Sequence, residues 1–193
     1  LCLIQKGNVL TLYDLLTGLL LMSGNDAAYT IAVGTARQLR PNDKLSDKQA
    51  IAYFCELMNQ TAKEIGMTDS RFETPDGWDN KNQYTTTADL LTLTKYAIKN
   101  PSIKKIISIK ETKVTFAAGG SITWKNHIKL IDPKSPYYCK DFVGGKTGTT
   151  DSAGYCLISV FEKNSKEYII IVTGCKDDNS RCAATLDLYG RIK

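Results

Sequence analysis

The sequence predicts an α+β fold, a helical lobe followed by an antiparallel sheet and a closing helix. Apolar residues recur at helical spacing up to about residue 110, the period then falls to two, and helical spacing returns at the end. With 193 residues, 42% of them hydrophobic and 23% charged, the chain has ordinary globular values and can bury a core. It reads as one domain over 1–193, mainly helical over about 9–110 and sheet plus C-terminal helix over about 111–193.

In chain order, Thr11-Leu12-Tyr13-Asp14 has the form of a capping box, so a helix is expected from Leu12 to about Met22. Ser23-Gly24-Asn25-Asp26 interrupts it, and alanine-rich Ala27 to Ala36 is helical again. Ser46 with Gln49 opens a third helix, in which Ile51, Phe54, Cys55, Met58, Ala62 and Ile65 share a face and Gly66 supplies the stop. The segment TDSRFETPDGWDNKNQYT is dense in Asp, Asn, Gly and Pro and reads as loop. Thr87 to Lys99 is amphipathic and halts at Asn100-Pro101, and a short basic helix follows over Ser102 to Ile109. KVTFAAGGSITWKNHIKL then alternates about a Gly-Gly turn, as a hairpin does. AGYCLISVFEKNSKEYIIIVTGC is a second hairpin turning near Asn164-Ser165. Arg181 to Ile192 reads as the closing helix, with Leu186, Leu188 and Tyr189 inward.

The net charge of +5, from 25 basic and 20 acidic residues, is spread along the chain, and no basic block points to nucleic acid. The apolar run Leu15 to Met22 is broken by Thr17 and Gly18 and is far short of a membrane span. Six cysteines form no CxxC pair, which argues against a zinc site. Cys55 and Cys156 read as small core residues, while Cys175 and Cys182 can reach one another around a turn in an oxidising compartment. The start at Leu1, without methionine or leader, gives the expectation of a chain cut from something longer.

VGGKTGTTDSAGYCLISV, Val143 to Val160, sets a lysine and threonine between glycines at the head of a strand. A phosphate-binding loop would need an earlier glycine and a following helix, and both are missing. A carboxylate clamp fits better: Lys146 fixes a charge on a strand, small neighbours admit an extended peptide along its edge, and Thr147 adds a hydroxyl. A solvated edge lysine is the plain alternative. Ser23-Gly24-Asn25 is the second candidate: a hydroxyl that can relay a proton and an amide that can hold a carbonyl, at a sharp break between helices. Helix capping is its plain alternative.

Together, S-x-N and a K-T-G about 120 residues later resemble the penicillin-recognising serine enzymes. LTLYDLLTGLLLMSGNDAAYTIA, FCELMNQTAKEIGMTDSRFETPDGW, YTTTADLLTLTKYAIKNP and VGGKTGTTDSAGYCLISV look like D-alanyl-D-alanine carboxypeptidases, the low-molecular-mass penicillin-binding proteins. The resemblance implies the penicillin-binding/β-lactamase-like transpeptidase fold. It also implies removal of the terminal D-Ala from peptidoglycan stem peptides through an acyl-serine, with β-lactam antibiotics acylating the same serine. Ser23 would be the proton relay, Asn25 the amide on the substrate backbone, and Lys146 with Thr147 the carboxylate clamp. Gly148 would line the strand, the Thr149 N–H would be an oxyanion donor, and Arg181 a further carboxylate ligand. No metal or organic cofactor is implied. The setting would be extracytoplasmic, with membrane anchoring only through segments outside this sequence.

The family's nucleophile stands in an S-x-x-K upstream of S-x-N, at the start of a helix. The only such pattern here, Ser102-Ile103-Lys104-Lys105, falls on an expected surface helix and reads as chance. The expectation is therefore a catalytic domain without its N-terminal strands and nucleophile helix, inactive by itself. A non-catalytic muropeptide-binding remnant is the alternative. A class A β-lactamase is disfavoured because no E-x-x-L-N is found. His127, the sole histidine, reads as structural.

Overall fold

A computed structural model describes residues 1–117 and 119–193. Helix α1 (Leu12–Met22) starts at the capping box predicted for it, Thr11 and Asp14 satisfying one another's backbone N–H groups. Helix α2 (Asn25–Leu39) is longer at both ends than its alanines suggested, because Gly24 is its N-cap and offers no side-chain signal. Helix α3 (Asp47–Glu64) has the Ser46–Gln49 capping box, and α4 (Thr87–Ala97) and α5 (Pro101–Ile107) follow the long loop.

Strands β1 (Glu111–Thr115) and β2 (Ser121–Lys125) form an antiparallel two-stranded sheet with Val114 opposite Ile122. Gly119 and Gly120 adopt φ of 95° and 87° in the turn, and Ala118 lies outside the described residues. After a short 3₁₀ turn, β3 (Phe142–Thr150), β4 (Gly154–Lys163) and β5 (Lys166–Cys175) make an antiparallel sheet in the order β3-β4-β5. Asn164 and Ser165 turn the β4–β5 hairpin at φ of 52° and 59°, the left-handed pair a tight two-residue turn needs.

Helix α6 (Asp178–Gly190) covers one face of this sheet. Leu157, Phe161, Ile170 and Val172 pack there with Cys182, and Phe161 stacks on Tyr189 at 4.6 Å. Leu188, expected inward, is 39% exposed. The helix starts at the Asp177–Ser180 capping box, earlier than Arg181; Cys182, Thr185, Leu186 and Tyr189 form its sheet-facing side, and Leu188, about 200° round from Leu186, turns outward. Cys55 is buried as expected, Cys156 is only half-buried, and all six thiols are free, Cys175 and Cys182 included.

A second apolar cluster, of Cys2, Leu21, Ala27, Val114 and Trp124, joins the N-terminal segment to α1, α2 and the β1–β2 hairpin. The Asp26 carboxylate accepts from the N–H groups of Cys2 at 2.8 Å and Ile4 at 3.1 Å. Burial by itself would raise this carboxyl, but those N–H groups and that of Ala27 hold it below its usual range. Burial, reinforced by Asp26, pushes the Cys2 thiol up to about 12. Its sulfur fills the gap beneath the α1–α2 elbow, where a Cβ on Gly24 would lie 2.1 Å away and one on Gly18 2.7 Å away.

Close approach explains the paired glycines of β3 as well. A Cβ on Gly144 would sit 2.5 Å from the Ile107 carbonyl oxygen of α5, and one on Gly145 2.3 Å from the Ile158 oxygen. Gly144→Ala is therefore expected to destabilise by about 1–3 kcal/mol through overpacking against backbone. Gly34→Ala, at a mid-helix site with nothing within 4 Å, should stabilise by about 0.8–1 kcal/mol. Urea unfolding midpoints of the two variants against wild type check both signs.

Candidate active site

Lys146 lies on β3 directly opposite Ile158 of β4, and thus on the sheet face turned away from α6. Across it stands the elbow between α1 and α2. The Lys146 ammonium donates to the Ser23 hydroxyl at 2.7 Å and to the Thr147 carbonyl at 2.5 Å. Two motifs 123 residues apart thus meet in one hydrogen bond.

Ser23 closes α1 in the left-handed region, at φ 52° and ψ 46°, with its N–H donating to the Gly18 carbonyl. Glycine is the usual occupant of that position, and an L side chain there costs about 1–2 kcal/mol. The capping alternative for this motif fails. Gly24, not Ser23 or Asn25, is the N-cap of α2, and it makes no side-chain cap bond. Asn25 is the first residue of α2 and half-buried, and its amide makes no hydrogen bond among the described residues.

Burial first, and Arg181 second, lower Lys146 from 10.5 to about 8. Below that pH the cleft carries a cation with no carboxylate partner among the described residues. Arg181, on α6, is 8% exposed. Its Nε and Nη2 bind the Asp178 carboxylate at 2.8 and 2.5 Å. Its Nη1 reaches the Gly148 carbonyl at 3.3 Å, the Thr149 hydroxyl at 3.2 Å and the Cys156 carbonyl at 3.2 Å. The guanidinium is thus fastened beneath the K-T-G strand, where it supports Thr149 and adds field to Lys146.

β3 is an edge of the three-stranded sheet, so alternate backbone groups along it have no neighbouring strand. Thr147 is half-buried, and Gly148 and Thr149 are exposed. Around Gly148 the space is open: a Cβ there would have Cys156 Cβ, 4.0 Å away, as its nearest neighbour. Unlike Gly144 and Gly145, this glycine is not demanded by the protein's own packing.

All seven candidate residues fall on the elbow, on β3 or beneath β3. Ser102 and Lys105 are not among them: they lie on α5, and His127 lies in the loop after β2. A surface hollow of about 660 Å³ lies elsewhere, lined by Glu56, Asn59, Arg71 and Tyr84 among others. Two of its polar side chains already have partners: Arg71 pairs with Glu73, and Asn59 bridges Phe72 and Cys55. Sequence reasoning missed Asp178, which holds Arg181, and Asp79, whose carboxylate accepts from the Ser152 N–H at 3.2 Å beyond the end of β3. Asp178 carried a local signal, standing three residues before Arg181 on one helix, whereas Asp79 had none, because it meets Ser152 only after folding.

A serine–amide elbow facing a lysine on a sheet edge is the arrangement of the penicillin-recognising peptidases. Residues 1–177 match the family described as D-alanyl-D-alanine carboxypeptidase, and the chain belongs to that family. It is 33% identical over 172 residues to the D-alanyl-D-alanine carboxypeptidase of Streptomyces sp. strain K15, covering 84% of this chain and 54% of that protein. It is 30% identical over 178 residues to the carboxypeptidase DacC of Escherichia coli, covering 92% of this chain and 40% of DacC. The crystal structure of the Streptomyces K15 DD-transpeptidase superposes with a TM-score of 0.84 at 26% identity, over 98% of this chain and 71% of that one. The chain spans about half the length of the curated relatives it matches. The fold is therefore that of the DD-peptidases, over 71% of the K15 chain.

The depressed Lys146 sets a pH dependence with a definite sign. Acetyl-D-alanine, a simple carboxylate probe, should bind most tightly below pH 8 and lose about tenfold in affinity per pH unit above it, as the ammonium is lost. Lys146→Met should flatten the profile. Calorimetric titration across pH 6–10 (about one point per unit) measures it.

Proposed function

We propose that this chain forms the substrate-clamping part of a serine D-alanyl-D-alanine carboxypeptidase acting on peptidoglycan stem peptides outside the cytoplasm. The observation that carries the reading is the Lys146–Ser23 contact of 2.7 Å, which sets a cation and a hydroxyl at one point beside an open strand edge. A peptide ending in D-Ala-D-Ala would add to β3, its carboxylate on Lys146 and Thr147 and its backbone held by the Asn25 amide. The Thr149 N–H would stabilise the oxyanion. Arg181 would support the clamp from beneath, through Thr149 and Gly148, as much as by its charge.

In the proposed reaction a serine of an S-x-x-K gives its hydroxyl proton to the lysine of that motif and attacks the carbonyl of the penultimate D-alanine. The peptide bond breaks, and the leaving amine of the terminal D-alanine takes a proton relayed through Ser23. Lys146, at about 8, is close enough to neutral pH to exchange a proton with that hydroxyl. Water then hydrolyses the acyl-serine. The Ser102–Lys105 pair on α5 does not serve this step, so the reading requires a nucleophile that the whole protein supplies. β-Lactams would acylate the same serine. Among the described residues no helix is long and apolar enough to cross a membrane.

Fluorescent penicillin separates this enzyme from a muropeptide-binding remnant. Covalent labelling of the whole protein, abolished by replacing the serine of an S-x-x-K, supports the enzyme; a protein that binds stem peptide yet never labels is the remnant. Lys146→Ala should lower kcat/KM for a D-Ala-D-Ala peptide by about tenfold or more, since a charge-assisted hydrogen bond contributes roughly 1.5–3 kcal/mol. An unchanged rate would remove Lys146 from the site.

A further inference from the structure

Two ion pairs of the chain share one carboxylate, that of Asp178. Its Oδ1 accepts from Arg181 Nε at 2.8 Å and Nη2 at 2.5 Å, and its Oδ2 accepts from the Lys129 ammonium at 2.7 Å. Asp178 thus stands between two cations, one from its own helix and one from the 3₁₀ turn Lys129–Ile131 ahead of β3. Burial by itself would raise its carboxyl, and Lys129 and Arg181 together hold it below the usual range.

Lys129 is carried by a firmly held turn. Leu130 and Ile131, the next two residues, are buried in the apolar cluster of the sheet and α6, and the Leu130 carbonyl accepts from the Cys139 N–H at 3.1 Å. The ammonium also donates to Asn179 Oδ1 at 2.6 Å and lies 5.9 Å from the centre of the Tyr137 ring. Both side chains of the Lys129–Asp178 pair are about a third exposed, whereas those of the Lys125–Glu111 pair are more than half exposed. An isolated exposed pair contributes little; a linked pair with well-placed partners does more.

What the shared carboxylate holds is the underside of the site. Arg181 turns Nε and Nη2 to Asp178 and divides Nη1 among the Gly148 carbonyl, the Thr149 hydroxyl and the Cys156 carbonyl. Its guanidinium carbon lies 5.3 Å from the centre of the Tyr155 ring. One side chain therefore ties β3 to β4 at Gly148 and Thr149, where the proposed oxyanion donor stands. Arg181 grips Asp178 at a single oxygen, so the carboxylate by itself could pivot and the guanidinium would follow. The Lys129 contact at the other oxygen removes that freedom.

We infer that Lys129 is a positioning residue for the proposed carboxypeptidase reaction, acting through Asp178 to keep Arg181, and with it Gly148 and Thr149, in register with the transition state. The inference rests on the carboxypeptidase reading.

A double-mutant cycle on the whole protein tests it, with diacetyl-L-Lys-D-Ala-D-Ala as substrate. Asp178→Asn should lower kcat by about tenfold and Lys129→Met by about threefold, with KM little changed, because the loss falls on the transition state. Lys129→Arg, which keeps the charge, should retain most of kcat. In the Asp178→Asn background, Lys129→Met should cost nothing further. Equal losses in the two backgrounds overturn the inference, and so does a wild-type kcat for Lys129→Met. If wild type does not cleave the peptide, the carboxypeptidase reading fails on its own, and NMR exchange of the Arg181 Nε–H proton decides the positioning. Slow exchange in wild type and Lys129→Arg, with faster exchange in Lys129→Met and Asp178→Asn, supports it. Identical exchange in wild type and Lys129→Met overturns it.

Discussion

The contact between the Lys146 ammonium and the Ser23 hydroxyl joins the two halves of the structure, and much of the surrounding packing makes sense as what that contact requires. For β3 to come this close to the α1–α2 elbow, α5 must lie against the strand with no side chain between, and Gly144 permits it. The elbow must also be supported from below. Cys2 does that, wedged where Gly18 and Gly24 leave room, with Asp26 fastening its backbone and Trp124 donating to its carbonyl. Glycines and a buried thiol thus fix the height of the elbow above the strand.

The electrostatics depend on the same closeness. Two cations in one half-buried cleft would repel, and the structure separates their tasks. Arg181 is neutralised by Asp178 and turned to backbone and hydroxyl acceptors beneath the strand. Lys146 is left facing the groove, its hydrogen bonds going to the Ser23 hydroxyl and the Thr147 carbonyl. Burial and the residual field of Arg181 then lower it toward neutrality. The site keeps a positive charge that no acidic group among the described residues satisfies.

What could be read beforehand was local or was carried by family likeness. The capping boxes at Thr11–Asp14 and Ser46–Gln49 depend on residues three apart, so both helix starts were legible. The Asn164–Ser165 turn was legible for the same reason. Leu188 was misplaced because it stands about 200° round the helix from Leu186, so the two cannot share the face that Leu186 and Tyr189 turn to the sheet. Cys156 looked like core, but an apolar alternating strand does not say how far its face is covered near the strand's end. The candidate site residues came from motif resemblance, and the fold does bring the elbow and β3 together. The Asp79–Ser152 contact was invisible, because the two are 73 residues apart and each looks like an ordinary loop residue.

Ser23 adopts a left-handed backbone that suits glycine better, at the one place where a hydroxyl meets Lys146. Substitutions that would relax that turn, glycine foremost, delete the oxygen. At this position robustness and chemistry select opposite residues, so a version of the chain tuned only for resistance to heat would drift away from the groove it was built around.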